Sequence, residues 1–211
     1  MKNEAAEHYF AAKPKSKTHL GMVRTHLRER YFEFLTASGV FSKNRIDPGT
    51  RLLIESMILP EEGTVLDLGC GYGAIGITAA SLNPKLQVYL VDVNERAVWL
   101  ARQNAKRNHI KNVKIKRGFL YAPVKNLKFD AILTNPPVSA GLETLTRIIN
   151  EAPEHLKPDG TFQIVVRSKI GGKRFIHLLA EAFNNVKILA RKSGYRVFIT
   201  KTKKHGIQTL K

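Results

Sequence analysis

From about residue 64 onward the apolar positions of this chain switch back and forth between two periods. Short runs rich in β-branched and aliphatic residues near 64–68, 87–92, 113–117, 129–134 and 161–166 predict buried strands. Between them, the segments near 74–82, 95–108, 141–155 and 172–183 carry apolar residues at helical spacing. Strand and helix in alternation predict a parallel sheet joined by right-handed crossovers, with helices on its faces. Ahead of this pattern, a cruder alternation over 22–35 predicts a β-hairpin or a pair of edge strands, and 50–57 a short helix. Behind it, 186–190 and 196–201 flank Ser193-Gly194 and predict a terminal hairpin that adds an antiparallel strand. Residues 1–19 are polar, rich in alanine and lysine, and expected to be loosely held. The chain has no internal repeat. Its 211 residues suffice for one α/β domain and are few for two. The expected division is an N-terminal extension over 1–45, an α/β domain over 46–203 and a basic tail over 204–211.

Two of the expected strands end in residues that carry chemistry. The first runs Thr64-Val65-Leu66-Asp67-Leu68 into Gly69-Cys70-Gly71-Tyr72-Gly73-Ala74-Ile75-Gly76, a tight glycine turn that opens a helix. Glycines there let backbone approach a ligand and adopt positive φ, and the helix start adds free N–H groups. Gly71-x-Gly73-x-x-Gly76 matches the dinucleotide-binding fingerprint, a weak signal alone. Asp67, just before the glycines, would repel a pyrophosphate and attract a cationic or amine-bearing ligand. The next strand ends in Asp92, roughly twenty residues past the glycine turn, where an acid accepts hydrogen bonds from ribose hydroxyls. Capping the helix that begins at Asn94-Glu95 is its other reading, compatible with the first.

The run 129–134 leads into Asn135-Pro136-Pro137-Val138. Two prolines remove two backbone donors, fix two φ angles and push the residue before each out of the helical region. The result is a rigid extended turn with free carbonyls and a free Asn amide at a strand's carboxyl end, where open α/β sheets bind ligands. Such a pair of acceptors suits gripping the N–H groups of an amine or amide. The plainer reading is a loop that merely stops a strand.

Together these motifs resemble the class I, S-adenosylmethionine-dependent methyltransferases. Asp67-Leu68-Gly69-Cys70-Gly71-Tyr72-Gly73 is similar to their cofactor loop, and Asn135-Pro136-Pro137-Val138 to the fourth motif of amino-group methyltransferases. The flanking Gly39-Val40-Phe41-Ser42, Ile46-Asp47-Pro48-Gly49-Thr50 and Gly194-Tyr195-Arg196-Val197 resemble archaeal relatives of the small-subunit rRNA guanine-N2 methyltransferase, so the resemblance spans 20–201. It implies a single Rossmann-like sheet of seven strands, with a parallel core and one antiparallel strand near the C-terminus, flanked by helices. It implies S-adenosylmethionine as cofactor, held by Asp67, Gly69, Cys70, Gly71, Asp92, Val93, Gly118, Phe119 and Asn135. It places Asn135, Pro136 and Pro137 at the catalytic centre and implies methyl transfer to guanine, with N2 favoured, in rRNA or tRNA. Two departures stand out. Val138 occupies a position that is often aromatic in the family, and Arg117-Gly118-Phe119-Leu120 replaces the usual acid near the adenine, where the Phe119 ring is expected to pack instead. The alternatives are a protein-glutamine N5 methyltransferase, methylation of a guanine ring nitrogen in tRNA, and a cofactor-binding RNA module without catalysis.

Charge narrows the partner. Lys plus Arg number 35 against 17 Asp plus Glu, for a formal net charge of +18. Residues 102–117 and 191–211 hold basic residues and no acids, and Lys169, Lys173 and Arg174 add a cluster within 167–174. Lys13, Lys15 and Lys17 add another. Such an excess is the footprint of a polyanion, here expected to be RNA. A thermophile's surface would carry more acids. No segment reads as a membrane span or a signal peptide, so a cytoplasmic protein is expected. Cys70 is the single cysteine, which excludes an internal disulfide and reads as a packing residue. The seven histidines are scattered without ligand spacing, so no metal site is expected. Trp99 reads as a core residue, Tyr121 as either core or pocket rim, and Glu143 as part of a solvated face.

Overall fold

The structure is a computed structural model that describes residues 17–136, 141–169, 172–183 and 185–202. Pro137, Val138, Lys13, Lys15, the basic tail over 204–211 and most of the segment expected to be loose lie outside the described residues.

The expected hairpin is present as β1 (Leu20–Leu27) and β2 (Arg30–Ala37), antiparallel with Leu27 opposite Arg30. Its two-residue turn, Arg28-Glu29, has positive φ at both positions, 49° and 63°, the handedness that matches strand twist. Arg28 offsets part of that strain by donating from its guanidinium to the carbonyls of Glu55 (3.0 Å) and Met57 (3.4 Å). Helix α1 (Pro48–Ser56) follows, with Asp47 as N-cap and Pro48 at its first position.

Strand and helix then alternate as the pattern predicts: β3 (Gly63–Leu68), α2 (Ala74–Leu82), β4 (Leu86–Asp92), α3 (Glu95–Arg107), β5 (Val113–Arg117), β6 (Phe129–Thr134), α4 (Gly141–Glu151), β7 (Leu156–Arg167), α5 (Lys173–Phe183), β8 (Lys187–Lys192) and β9 (Tyr195–Lys201). The sheet order is β5-β4-β3-β6-β7-β9-β8. Strands β3 to β7 are parallel, and β9 is antiparallel to both of its neighbours, β7 and β8. This is the seven-stranded sheet with one antiparallel strand expected from the sequence. Successive side chains point to opposite faces. Val65 of β3 therefore joins the core under the hairpin, α1, α2 and α3, while Leu66 and Leu68 join the core under α4 and α5.

Three expectations are corrected in detail. The helix expected over 141–155 stops at Glu151, and residues 152–155 form a 3₁₀ turn. Pro153 lacks the N–H an α-helix needs there and its ring would crowd the preceding turn. Strand β7 begins at Leu156 rather than near 161, with a register shift between the pairs Phe129–Leu156 and Ala131–Thr161 and a positive φ of 61° at Asp159. Trp99 is not a core residue and is 43% exposed. Ala97, Leu100, Ala101, Asn104 and Ala105 form the inward stripe of α3, and residue 99 falls outside that arc. Tyr121 is core rather than rim: it is buried, donates from its hydroxyl to the Ile148 carbonyl (2.8 Å) and stacks on His155 at 4.5 Å. Among the described residues no helix is long and apolar enough to cross a membrane, and no cluster of His, Cys, Asp and Glu suits a metal ion.

The hairpin is fixed to the domain by two asparagines one turn apart, Asn104 on α3 and Asn108 at its C-cap. Asn104 Oδ1 accepts from Leu35 N (2.6 Å) while its Nδ2 donates to Leu35 O (2.9 Å) and Tyr72 O (2.9 Å). Asn108 makes the same paired contact with the backbone of Glu33, at 3.1 Å and 2.9 Å. The two side chains satisfy the free edge of β2 as a neighbouring strand would. Replacing Asn104 by Ala strands several buried backbone groups at about 1–3 kcal/mol each. Asn104→Ala is expected to lower stability by about 2–4 kcal/mol, a fall in Tm of roughly 5–15 °C by calorimetry. An unchanged Tm would mean that the Asn104 contacts do not hold the hairpin.

Candidate active site

A cavity of about 220 Å³ opens at the carboxyl ends of β3, β4 and β6. Gly69, Cys70, Gly71, Asp92, Val93, Gly118, Phe119, Asn135 and Pro136 all line it, so the structure brings together nearly every residue singled out from the sequence. Pro137 lies outside the described residues.

The floor is the glycine turn. Gly69, Gly71 and Gly73 have φ of 73°, 56° and 94°, and Gly73 is the N-cap of α2. The turn is tied to β4 by Gly69 N and Cys70 N, which both donate to Val91 O (2.9 and 3.0 Å). At Gly69 and Gly71 the place of a Cβ is empty to beyond 4 Å. The backbone therefore faces open cavity, and a side chain there would take up ligand space. Burial pushes the Cys70 thiol well above its ordinary value, with the Asp92 and Asp67 carboxylates adding to the effect, so the group stays a neutral packing residue.

The two acids divide their tasks. Asp92 stands at the cavity wall, where Oδ2 accepts from Gly71 N and Oδ1 from Asn94 N, each at 2.8 Å. Desolvation raises its pKa, and the backbone donors oppose that shift. The cap of α3 belongs to Asn94, whose Oδ1 accepts from Arg96 N and Ala97 N. Asp67 departs from expectation. Its side chain turns into the protein instead of toward a ligand, is fully buried, and accepts on Oδ2 from Gly76 N (2.8 Å) at the start of α2. A Cβ on Gly76 would lie 3.0 Å from that oxygen and 2.7 Å from Leu90, so this glycine lets the helix close on the strand. Asp67 Oδ1 has no partner, and desolvation raises the pKa to about 7.

Phe119, after β5, and Asn135, after β6, line the cavity from the two sides of the β4 and β3 strand ends. Phe119 is 45% exposed, with the Arg147 guanidinium 5.1 Å from its ring centroid. Asn135 donates from Nδ2 to Asp47 Oδ2 (3.0 Å) and to Thr50 Oγ1 (2.8 Å). Asp47 also accepts from Thr50 N (2.9 Å) and, on Oδ1, from the Tyr195 hydroxyl (3.3 Å). Tyr72 lies close enough that the Asp47 carboxylate, after burial itself, holds its phenol above the ordinary value. Sequence reasoning assigns no role to Asp47, Thr50 or Tyr195. Only the helix-start pattern of Asp47-Pro48 was readable, because the partners lie 85 to 148 residues apart along the chain. Phe41, Thr50, Thr144 and Ile148 line the cavity without having been singled out as site residues.

A glycine-floored cavity with a carboxylate at the second strand's end, on this sheet order, defines a class I methyltransferase. The open glycine cradle and the acid beside it fit the cofactor of that class, S-adenosylmethionine. The sequence pattern described as "Methyltransferase small domain" matches residues 31–199. A Bacillus subtilis protein named "Uncharacterized protein YbxB" is 43% identical over 94% of this chain and 99% of its own length. "Ribosomal RNA small subunit methyltransferase C" of Hamiltonella defensa is 34% identical over 77% of this chain and 48% of its own length. Among solved structures, the 16S rRNA N2 methyltransferase of T. thermophilus, in complex with AdoMet and guanosine, superposes with a TM-score of 0.79 at 25% identity, over 90% of this chain and 52% of that one. The chain belongs to the methyltransferase small domain family. It spans about half the length of the rRNA methyltransferases it matches. These relatives are bacterial, and the resemblance is shown for the family as a whole.

The buried Asp67 generates a pH dependence. Its folded pKa lies near 7 against an ordinary 3.8. Below about pH 4 it is protonated in both states and its contribution is fully present. As pH rises toward 7 the unfolded chain releases the proton first, so stability falls, by up to about 4 kcal/mol over the whole range. Asp67→Asn keeps an oxygen for Gly76 N and removes the titration. Relative to wild type, this variant is expected to gain stability steadily from pH 5 to 7.5 in urea titrations. Parallel stability curves would show that Asp67 stays ionised in the fold.

Proposed function

We infer that this chain transfers a methyl group from S-adenosylmethionine to an exocyclic amine, first of all N2 of guanine in ribosomal RNA. The observation that carries the reading is the state of the Asn135 amide. Both of its N–H groups are used inside the protein, by Asp47 and Thr50, so the group left for a ligand is the oxygen. Pro136 sits beside it on the same wall and has no backbone donor. A wall of acceptors selects a substrate that donates N–H.

The cofactor, when bound, supplies the electrophilic methyl group. The Gly69 and Gly71 backbone, the Asp92 carboxylate and the Phe119 ring would hold it, the carboxylate as an acceptor for hydroxyls and the ring as an apolar packing surface. Asn135 Oδ1 and the Pro136 carbonyl accept the two N–H bonds of the target amine. An aromatic amine is a poor nucleophile because its lone pair is shared with the ring, and this grip turns the lone pair out of the ring plane. The same oxygens face the positive charge that builds on nitrogen during transfer. The target guanine reaches them unpaired or flipped from its stack.

RNA is favoured over an amide in a protein by the net charge of +18 and by where it lies. Arg102, Lys106, Arg107, Lys111, Lys114 and Arg117 are exposed along α3, β5 and the turn between them, and Arg191, Lys192 and Lys201 along β8 and β9. These surfaces, with the cluster in 167–174, are assigned to the RNA backbone, which supplies affinity and not base choice. The relatives' names support the same substrate class.

The test uses small-subunit rRNA, bare and in subunits, with labelled S-adenosylmethionine and mass spectrometry of the digested nucleosides. N2-methylguanosine is the expected product, and a ring-methylated guanosine or a methylated protein would overturn the assignment. Asn135→Ala is expected to lower the single-turnover rate by about 10²–10³ while cofactor affinity holds. A wild-type rate in that variant would make the turn structural only. RNA affinity should fall linearly on a log–log plot against salt, because each phosphate contact releases counterions. A flat plot would point to a protein substrate.

A further inference from the structure

An asparagine amide is nearly symmetric in shape, and a half-turn of its end exchanges donor for acceptor. A free Asn135 would present its nitrogen to the cavity about as readily as its oxygen. The surroundings remove that freedom. Asp47 Oδ2, 3.0 Å from Nδ2, belongs to a group that only accepts when ionised, so the amide oxygen cannot face it without repulsion. Thr50 Oγ1 takes the second N–H at 2.8 Å. Both partners are buried, Asp47 at 9% and Thr50 at 7% exposure.

Asp47 is itself held from two further sides. Thr50 N donates to Oδ2 (2.9 Å) as part of the cap of α1, and the Tyr195 hydroxyl donates to Oδ1 (3.3 Å) from the start of β9. Gly49 makes room for that reach, since a Cβ there would stand 2.7 Å from the Tyr195 ring. The loop before α1, the end of β6 and the start of β9 thus meet at one carboxylate.

We propose that Asp47, Thr50 and Tyr195 are positioning residues that lock the Asn135 amide with its oxygen toward the target nitrogen, and so impose the requirement for an N–H donor as substrate. Asp47 also acts through charge. A carboxylate at the NH₂ end polarises the amide toward its oxygen, which strengthens the acceptor as the target nitrogen turns positive. Tyr195 fixes the carboxylate's second oxygen and keeps the first aimed at Asn135. The proposal rests on the amino-group reading above for its substrate, and on the hydrogen-bond geometry for the lock itself.

Two measurements separate those supports. The first needs no substrate. In ¹⁵N-labelled protein the Asn135 side-chain NH₂ signal, assigned by its loss in Asn135→Ala, is expected to exchange slowly with solvent. Exchange should quicken at least about tenfold in Thr50→Val and in Asp47→Asn, while Thr50→Ser, which keeps the hydroxyl, should restore slow exchange. Wild-type protection in both Thr50→Val and Asp47→Asn would overturn the lock. The second measurement is single-turnover methyl transfer to the RNA. Thr50→Val, Asp47→Asn and Tyr195→Phe should each slow it, the first two by about 10–100-fold, with S-adenosylmethionine affinity unchanged. In an Asn135→Ala background the same changes should have no further effect, because they act through Asn135. Additive losses in the double variants would overturn the proposal in favour of a general structural role. If the wild type itself does not methylate the RNA, the substrate reading fails, and the exchange measurement alone decides the lock.

Discussion

A carboxylate taken out of water must be given donors, and at Asp47 that requirement organises the site. Its neighbours are a helix-start N–H, a phenol and an amide, contributed by Thr50, Tyr195 and Asn135. None is close to another two in sequence, so their meeting depends on the whole sheet order. Strand β6 must lie beside β7, β9 must be inserted against β7, and α1 must pack across both. Leaving any one donor out would expose a buried charge to an apolar surrounding, at a cost several times that of an ordinary hydrogen bond. The orientation of the Asn135 amide is thereby tied to the integrity of the fold.

The other half of the cavity obeys a different constraint, which is room. Gly69 and Gly71 keep backbone bare toward the cavity, while Gly76 brings α2 against β4 and lets Asp67 reach the helix start. A single glycine-rich segment thus serves a surface that must stay open and an interface that must close. The hairpin contributes from above. Clipped by Asn104 and Asn108, it brings the chain to Val40 and Phe41 at the cavity's edge.

The sheet, its strands and the cavity-lining residues from Gly69 to Pro136 were legible in the sequence because each rests on a local signal: a change of period, a glycine turn, a pair of prolines. What escaped was directional or long-range. Asp67 sits where a ligand-facing acid is expected, yet its side chain follows the pleat inward and meets Gly76. Trp99 stands among apolar residues, but its angle on α3 points it to solvent, and short apolar neighbours conceal that angle in a linear reading. Pro153 was the visible signal for the broken helix end after Glu151. The roles of Asp47, Thr50 and Tyr195 could not be assigned, since a helix-start pattern at Asp47 does not announce that its carboxylate also collects partners from two distant segments.

The basic residues on the outer strands have one more consequence. Strands β5 and β8 are the two open edges of the seven-stranded sheet. The first carries Lys114, Lys116 and Arg117, and the second Lys187, Arg191 and Lys192. An unpaired edge is a template for strands of other molecules, and cations along it are a standing defence against such pairing. A second copy approaching either edge would bring its own lysines against these. Cations along both edges therefore oppose strand pairing between like molecules at the two places where an open sheet is most exposed to it.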